Sequence, residues 1–295
     1  MHAHAARLMV FVFFVLCGWA VPVQAFDTAG YDKGLLWKVE RAGTKSSYVF
    51  GTIHSEDSRV LAVPPAVQDV FDRASNFVME AVLDDSAIVS MSTSMMFEDG
   101  RTLKEVVSPA LYAKAASAMD GYGMPEFAMQ MMKPWAVAVS LSMPKSQTGV
   151  FLDLVLMQKA GEQGKPVAGL ETVEEQLGIF DKMPMRDQVL MLEDALKLLP
   201  ELEGMFAELH AAYLARDLGA LARLSEAQQM KGDRELGKKV MAQMLDARNR
   251  RMVTRMETYL KQGNAFIAIG ASHLPGREGV LNLLAKKGYR VSPVY

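Results

Sequence analysis

The chain has 295 residues, 50% of them hydrophobic, and a formal net charge of −2 at pH 7. A chain of this length can bury a large core, so we expect one large domain or two modest ones. The near balance of charge argues against nucleic acid as a partner, because nucleic-acid-binding domains carry a clear excess of Lys and Arg.

The first 25 residues have the pattern of a cleaved signal peptide. Arg7 supplies a positive charge, residues 8–20 are apolar, and small residues at the end of the segment resemble a cleavage site. The apolar run is short and is followed by proline, which favours cleavage over a retained membrane anchor. The single cysteine, Cys17, lies in this segment. We therefore expect an exported chain from about Phe26, periplasmic or secreted, with no disulfide and no membrane span.

The first part of the mature sequence predicts strands and a helix. "LLWKVE" (35–40) and "SYVFGTI" (47–53) are rich in aromatic and β-branched residues and flank a turn, as in a β-hairpin. "VPPAVQDVFDRAS" (63–75) opens with two prolines and has its apolar residues on one helical face. "NFVMEAVL" (76–83) is the next predicted strand. Strand, helix and strand at this spacing predict a βαβ unit and a parallel sheet.

The middle of the chain is helical in pattern. Residues 84–164 form a large Met-rich helical insertion, and a short strand at 165–171 follows it. From 172 to 260 only helices are predicted, the first begun by a capping box of Thr172 and Glu175. We interpret the methionine clusters as core filling rather than as copper ligands, because no cysteine or nearby histidine accompanies them. A groove for a flexible apolar or peptide ligand is the remaining alternative.

The end of the chain repeats the pattern of its beginning. "NAFIAIG" (264–270) predicts a strand, "REGVLNLLAKKG" (277–288) a helix, and "YRVSPVY" (289–295) an edge strand. We therefore expect an α/β domain over residues 26–295, with a mostly parallel central sheet, flanking helices and a large helical insertion.

Two of the predicted strands end in the same motif, Gly-x-x-His. The motifs run from Gly51 to His54 and from Gly270 to His273, and Glu80 and Glu171 end two other predicted strands. In a parallel sheet the carboxyl ends of the strands meet at one crevice, where ligands bind. Two imidazoles and two carboxylates would suit Mn, Zn, Fe or Co better than Ca. Each glycine is expected to let the backbone leave its strand sharply, so that the histidine turns back over the sheet edge.

Each of these residues also has a simpler interpretation. A single histidine at a strand end is more often structural, Glu80 then only begins a loop, and Glu171 supports the start of the next helix. The paired occurrence at matching positions favours a site. His210 falls on an amphipathic helical stretch and is interpreted as structural.

A basic run, "ARNRRM", lies in a long predicted helix and contains Arg248. Such runs are ordinarily a solvated face. An arginine that points inward would bind a carboxylate or stabilise an oxyanion. The sequence has no P-loop, dinucleotide-binding glycine pattern, G-x-S-x-G or HExxH motif, and the mature chain has no thiol nucleophile.

Motifs along nearly the whole mature chain, taken in order, resemble the TraB/GumN family, which is related to the Tiki metalloproteases. They are "LLWKVE", "SYVFGTIH" with "VPPAVQDVFDRASNFVME", "FLDLVLMQKAGEQGKPVAGLETVEEQ", "ARNRRM" and "AFIAIGASHLPGREGVLNLLAKKGYRV". The resemblance implies a peptidase that depends on Mn or Co, with Zn as an alternative. It implies His54, His273 and Glu80 as metal ligands, next to the motif glycines Gly51 and Gly270.

The same resemblance implies catalytic roles for Glu80, Glu171 and Arg248, and it makes Asp153 a second-tier candidate. Whether Glu80 or Glu171 is the ligand, and which of them is the general base, is left open. Unlike the animal Tiki proteins, this chain is expected to have no C-terminal membrane anchor. It also shares its motifs with TraB, which is linked to shutting down a peptide pheromone, and with GumN, which is found beside exopolysaccharide genes. We expect an exported metal-dependent hydrolase that acts on a peptide or protein. The alternative is a non-catalytic periplasmic protein that sequesters a peptide or serves envelope polysaccharide assembly.

Overall fold

The central sheet has six strands. The computed structural model describes residues 27–229 and 231–295, so the expected signal peptide and Cys17 lie outside the described residues. The strands are β1 (Leu36–Glu40), β2 (Ser47–Thr52), β3 (Asn76–Met79), β4 (Val167–Gly169), β5 (Ala265–Gly270) and β6 (Arg290–Pro293). Their order across the sheet is β4-β3-β5-β2-β1-β6.

The four strands β4, β3, β5 and β2 are parallel, which confirms the expected mostly parallel sheet. β1 pairs antiparallel with β2, as the predicted hairpin requires, and β6 pairs antiparallel with the outer side of β1. β5 lies between β2 and β3, with Ile269 beside Gly51 and Ala268 beside Met79. The last parallel strand of the sequence is therefore at the middle of the sheet, between two strands from the early part of the described residues.

Fifteen α-helices in the described residues surround the sheet or form the insertion. They are α1 (Ser58–Leu61), α2 (Pro65–Arg73), α3 (Asp85–Met95), α4 (Leu103–Val106), α5 (Pro109–Asp120), α6 (Glu126–Met129), α7 (Pro134–Leu141), α8 (Leu152–Glu162), α9 (Val173–Asp181), α10 (Met185–Leu198), α11 (Leu202–Leu214), α12 (Leu218–Gln229), α13 (Arg234–Met241), α14 (Arg248–Gln262) and α15 (Val280–Lys286). The predicted capping box at the start of α9 is present, with Thr172 and Glu175 bonded reciprocally. No helix of the described ranges combines the length and the apolar character that a membrane span requires.

Two hydrophobic cores hold these elements together. The first packs both faces of the sheet and contains α2, whose Val67, Val70 and Phe71 are buried as the sequence pattern predicts. The second lies within the helical insertion and α9–α10. Buried methionines fill it, among them Met91, Met95, Met119, Met129 and Met132. The interpretation of the methionine clusters as core filling is therefore confirmed for these residues, whereas Met131 is exposed.

One long helical segment links the two cores. α13 continues through a π-helical stretch (Ala242–Ala247) into α14, which ends at Gly263 with a φ of 77°. Met244 packs into the helical core, whereas Met252 and Met256 pack under the sheet. Short π-helical stretches occur frequently at functional sites. Arg248 is the first residue after the π-helical stretch Ala242–Ala247.

Two strands are shorter than the sequence pattern suggests. β3 ends at Met79 instead of continuing to residue 83, and β4 covers three residues instead of 165–171. Beyond Met79, the N–H of Gly270 on β5 bonds to the side chain of Glu80 and not to the backbone of β3, so the ladder stops there. The N–H of Glu171 still donates to the carbonyl of Glu80 at 2.7 Å. The backbones of Glu80 and Glu171 therefore lie side by side at the edge of the sheet.

Candidate active site

The side chains that the sequence predicts for the site follow the four parallel strands. They are His54 after β2, Glu80 after β3, Glu171 after β4 and His273 after β5. A pocket at this edge contains about 620 Å³ of empty space, part of it open to solvent, and both histidines and Glu80 line it. Its apolar walls include Met143, Phe206, Leu209 and Leu221. The side chain of Glu171 is fully buried and does not belong to this lining.

Both motif glycines leave space that a larger residue would fill. A Cβ on Gly51 would lie 2.8 Å from Cδ1 of Leu274 and 3.1 Å from Cα of Ala271, in the turn that carries His273. A Cβ on Gly270 would lie 3.2 Å from Oε1 of Glu80. Gly270 has a φ of −53°, which any residue adopts. The glycines therefore permit close packing of the two strand ends, and the expected gain in backbone freedom is not their role here.

Arg248 is the centre of the charged network. Its side chain is fully buried, its Nε donates to Oε2 of Glu171 at 2.7 Å, and its Nη2 donates to Oε2 of Glu80 at 2.7 Å. Nη1 lies 3.3 Å from the carbonyl oxygen of Met244 and 3.3 Å from Nε2 of His273. The inward-pointing arginine that the sequence suggests therefore joins both glutamates to a histidine.

Glu171 is held by two arginines. Arg248 bonds to its Oε2, while Arg251 donates to its Oε1 from Nε at 2.8 Å and lies 2.6 Å away through Nη2. Both oxygens of this buried carboxylate are thus engaged by guanidinium groups, the strongest type of partner for a carboxylate. Glu171 is in position to orient Arg248.

Glu80 is an ionised carboxylate at the pocket wall. Burial alone would raise its pKa, but the neighbouring His273 and Arg248 and the N–H of Gly270 outweigh this effect and lower the pKa to about 2. The Gly270 N–H donates to Oε1 at 2.6 Å. The same oxygen lies 3.6 Å from Nε2 of His273. Glu80 therefore carries a negative charge at any pH near neutrality.

His273 is fully buried and neutral. Burial lowers its pKa to about 3, and although the Glu80 carboxylate acts against this, the charge of Arg248 adds to it. Nδ1 lies 2.6 Å from Oδ1 of Asn249. The amide nitrogen of Asn249 donates to the backbone oxygen of Glu278 at 2.8 Å, which fixes the orientation of the amide.

His54 has an acidic partner instead. Its Nδ1 lies 3.3 Å from Oδ2 of Asp153, whose Oδ1 accepts a hydrogen bond from Thr52 at 2.8 Å. Its ring packs edge-on against Phe151 at 5.0 Å. Burial acts to lower the pKa of His54, but the Asp153 carboxylate outweighs it and the pKa is raised above its ordinary value. Asp153, second-tier in the sequence, is therefore the direct partner of a motif histidine.

Two contributors to this network are not identified by the sequence pattern. Asn249 and Arg251 lie in the basic run of α14, in which only Arg248 is a sequence-based candidate. A helical signal for Asn249 is present, because it lies four residues before Val253, which is buried against the sheet. His210, interpreted as structural, lies on α11 beside Phe206, with 6.4 Å between the ring centroids.

The donors of the pocket suit a divalent metal in kind. Nδ1 of His54 and Nδ1 of His273 each face a side-chain oxygen, and such partners are typical of histidines that bind a metal through Nε2. In this structure Nε2 of His273 faces Nη1 of Arg248. Glu80 adds a carboxylate. Within residues 27–229 and 231–295, however, no three His, Cys, Asp or Glu side chains are close enough together to hold an ion. The residues fit the ion by their chemistry, whereas their spacing in this structure does not enclose one.

Comparison with known proteins gives a family and a set of relatives. Residues 35–293 match the model of the TraB/PrgY/gumN family. The chain is similar to the metalloprotease TIKI2 of Danio rerio, with 25% identity over 320 residues that cover 87% of this chain and 60% of that protein. It is 24% identical over 309 residues to the metalloprotease TIKI1 of Homo sapiens, covering 87% of this chain and 61% of the relative. The chain thus spans about 60% of the length of these curated relatives.

Proposed function

Because this chain belongs to the TraB/PrgY/gumN family, we propose that it is a metal-dependent hydrolase of peptide bonds. The named relatives are metalloproteases, which supports hydrolysis of a peptide or protein. The observation that carries the proposal is the position of His54, Glu80 and His273 around one pocket at the carboxyl edge of the parallel sheet. Ligands bind at this edge in open α/β sheets.

We assign the metal to His54, His273 and Glu80, with Mn or Co favoured by the family and Zn as an alternative. A bound divalent ion would polarise the scissile carbonyl and lower the pKa of its water. Asp153 and Asn249 orient the two imidazoles through their Nδ1 atoms. Glu80 is ionised, so its carboxylate can serve as a ligand or accept a proton from the attacking water.

Arg248 is fully buried and does not itself line the pocket, so we propose that its charge stabilises the anionic intermediate at a distance, through Glu80 and His273. Its guanidinium is held by Glu171 on one side and reaches Glu80 and His273 on the other. A fixed cation in a buried site stabilises developing negative charge without reorganising during the reaction. Both oxygens of Glu171 are engaged by Arg248 and Arg251, so we assign Glu171 to positioning and leave the base role to Glu80.

The walls of the pocket indicate an apolar side chain next to the scissile bond. Phe206 and Leu209 of α11, Leu221 of α12 and Met143 line the pocket together with the histidines. Apolar walls with a few polar groups are the usual lining of ligand pockets, and methionine adapts to varied shapes. We propose a peptide or protein substrate with an apolar residue at this position. The N-terminal pattern supports export, to the periplasm or the medium.

The test is binding of Mn²⁺ and Co²⁺ by calorimetry, together with hydrolysis of a peptide library in each metal. We expect the wild type to bind one ion per chain and to cleave next to apolar residues, and His54→Ala to lose both properties. His210→Ala is the matched control, because His210 lies on α11 outside the proposed ligand set, and it should retain both. Metal-dependent cleavage that survives in His54→Ala would overturn the proposal.

A second candidate is a non-catalytic peptide binder. It is favoured by the position of Arg248, which supplies a cation between Glu80 and His273 without a metal. The same library distinguishes the two candidates. A binder would retain intact peptides with an affinity that neither Mn²⁺ nor a chelator changes, whereas the hydrolase would convert them in the presence of the metal.

A further inference from the structure

The side chain of Asn249 determines which nitrogen of His273 carries the proton. The amide nitrogen of Asn249 donates to the backbone oxygen of Glu278 at 2.8 Å, and a carbonyl oxygen only accepts. The amide oxygen must therefore face His273, where it lies 2.6 Å from Nδ1. Since that oxygen also only accepts, Nδ1 has to be the donor.

The other side of the ring agrees with this assignment. Nε2 of His273 lies 3.3 Å from Nη1 of Arg248. A guanidinium nitrogen has hydrogens and no acceptor capacity, so Nε2 faces it with its lone pair. Acceptor-only oxygen at Nδ1 and donor-only nitrogen at Nε2 select the same tautomer of the neutral ring.

A competing interaction makes this selection necessary. Oε1 of Glu80 lies 3.6 Å from Nε2 of His273, and its negative charge favours a proton on that nitrogen. A proton on Nε2 would be attracted by the Glu80 carboxylate, and that nitrogen would then have no lone pair for a metal. The shorter contact to Asn249, in a ring with no solvent exposure, holds the proton on the opposite side.

We propose that Asn249 is a positioning residue that keeps the proton of His273 on Nδ1 and so keeps the lone pair on Nε2, the nitrogen that faces Arg248 and that a metal would require. The metal part of this inference rests on the proposed function, whereas the tautomer does not. Asn249 acts through His273 and has no direct role in the chemistry. Asn249 directly follows Arg248 on α14, so the two residues that contact the nitrogens of the His273 ring lie on one helix turn.

The first test is ¹⁵N NMR of the metal-free wild type, with the His273 signals assigned by their loss in His273→Gln. We expect a protonated Nδ1 and an unprotonated Nε2. In Asn249→Leu, which has a similar size and no acceptor, only Arg248 still favours the proton on Nδ1, so the proton should become shared between Nδ1 and Nε2. In Asn249→Asp, which keeps an acceptor at Nδ1, it should stay. Asn282→Leu, which removes an exposed amide bonded to the carbonyl of Arg277, is the control and should leave the signals unchanged.

A wild-type ring with its proton on Nε2 would overturn the inference, and this measurement needs no variant to fold. An unchanged tautomer in Asn249→Leu would also overturn it. The second test is titration with Mn²⁺ alone. The affinity should fall about 10- to 100-fold in Asn249→Leu and be retained in Asn249→Asp. If the wild type binds no Mn²⁺ while the tautomer moves as expected, the role of Asn249 stands and the proposed metal function fails.

Discussion

Nε of Arg248 donates to Oε2 of Glu171 at 2.7 Å, and neither side chain is exposed to solvent. Burying two charges is costly, and the cost is recovered only when each charge has its partners. Arg248 meets this condition through two carboxylates and two further acceptors, and Glu171 meets it through two arginines. The pair therefore acts as a structural element of the site, because removing one member takes a buried partner of opposite charge from the other.

Replacing Arg248 by Met should lower the free energy of unfolding by about 3–5 kcal/mol, since Glu80 and Glu171 would lose a buried cation. Urea unfolding followed by circular dichroism measures this difference. Arg250→Met is the matched control, because Arg250 is two residues away on the same helix and its side chain is 60% exposed. We expect little change in that variant. Equal losses in the two variants would contradict the central role of Arg248.

Replacing Gly51 by Ala should lower the free energy of unfolding by about 1–3 kcal/mol, because the added Cβ overpacks the turn that follows β5. That Cβ would lie 2.8 Å from Leu274 and 3.1 Å from the backbone of Ala271. Thermal and urea unfolding measure the effect. Gly204→Ala is the control, since a Cβ at this helical position meets nothing within 4 Å. It should unfold no more easily than the wild type, and a Gly51→Ala protein as stable as Gly204→Ala would refute the packing argument.

The Asp153→Asn variant should bind Mn²⁺ about 10- to 100-fold more weakly. The amide keeps an acceptor for Thr52, but the carboxylate that faces Nδ1 of His54 at 3.3 Å loses its charge. Calorimetric titration with the ion measures the change. Asp72→Asn, on the surface beside Gln68 and Gln163, serves as the control and should bind like the wild type. If the affinity of Asp153→Asn for Mn²⁺ is undiminished, then either His54 is not a metal ligand or Asp153 does not orient it.

The contribution of Glu175 to stability should depend on pH. Hydrogen bonding from Arg255 lowers the pKa of Glu175 from 4.5 to about 2, against a smaller opposing effect of burial. A pKa lowered by folding stabilises the fold above the unfolded-state value of 4.5, and this stability is lost as the pH falls toward 2. The wild type should therefore exceed Glu175→Gln in urea midpoint at pH 7, with a gap that closes on acidification.

The control for this pH dependence is the same substitution in an Arg255→Met background. Arg255 bonds to both oxygens of Glu175, through Nη1 at 2.6 Å and Nη2 at 2.7 Å. The second comparison is therefore between Arg255→Met and the double variant that combines Arg255→Met with Glu175→Gln. Because the guanidinium is absent from both proteins, their midpoints should differ much less at pH 7 than those of the first pair. A gap of unchanged size would show that Arg255 is not the cause.

Local features of the sequence are sufficient to predict most elements. The hairpin of β1 and β2, the apolar face of α2 and the capping box of α9 depend on neighbouring residues, and each prediction is confirmed. The placement of β5 between β2 and β3 depends on parallel pairing between distant segments. The sequence indicates a parallel sheet but not this order, because strand order is set by packing and not by local pattern.

The candidate site also has a part that the sequence predicts and a part that only the structure shows. Its residues at strand ends, His54, Glu80, Glu171 and His273, are predicted from the rule that parallel strands end at one edge. The contacts made by Asn249 and Arg251 are not predicted, because the rotation of α14 about its axis decides which members of a basic run point inward. That rotation follows from the packing of its apolar face under the sheet.

By itself, the sequence determined an α/β domain with a helical insertion, the family, and the residue types that meet at the sheet edge, because these depend on periodicity, strand ends and motif order. Only the tertiary structure decided which partners each of those residues has. It buried Arg248 between two glutamates, and it gave His54 an acid and His273 an amide as partners. It also showed that the motif glycines are needed because a Cβ would crowd the neighbouring strand ends. The physical reason is that charge pairing, proton position and close packing depend on distances between residues far apart in the chain.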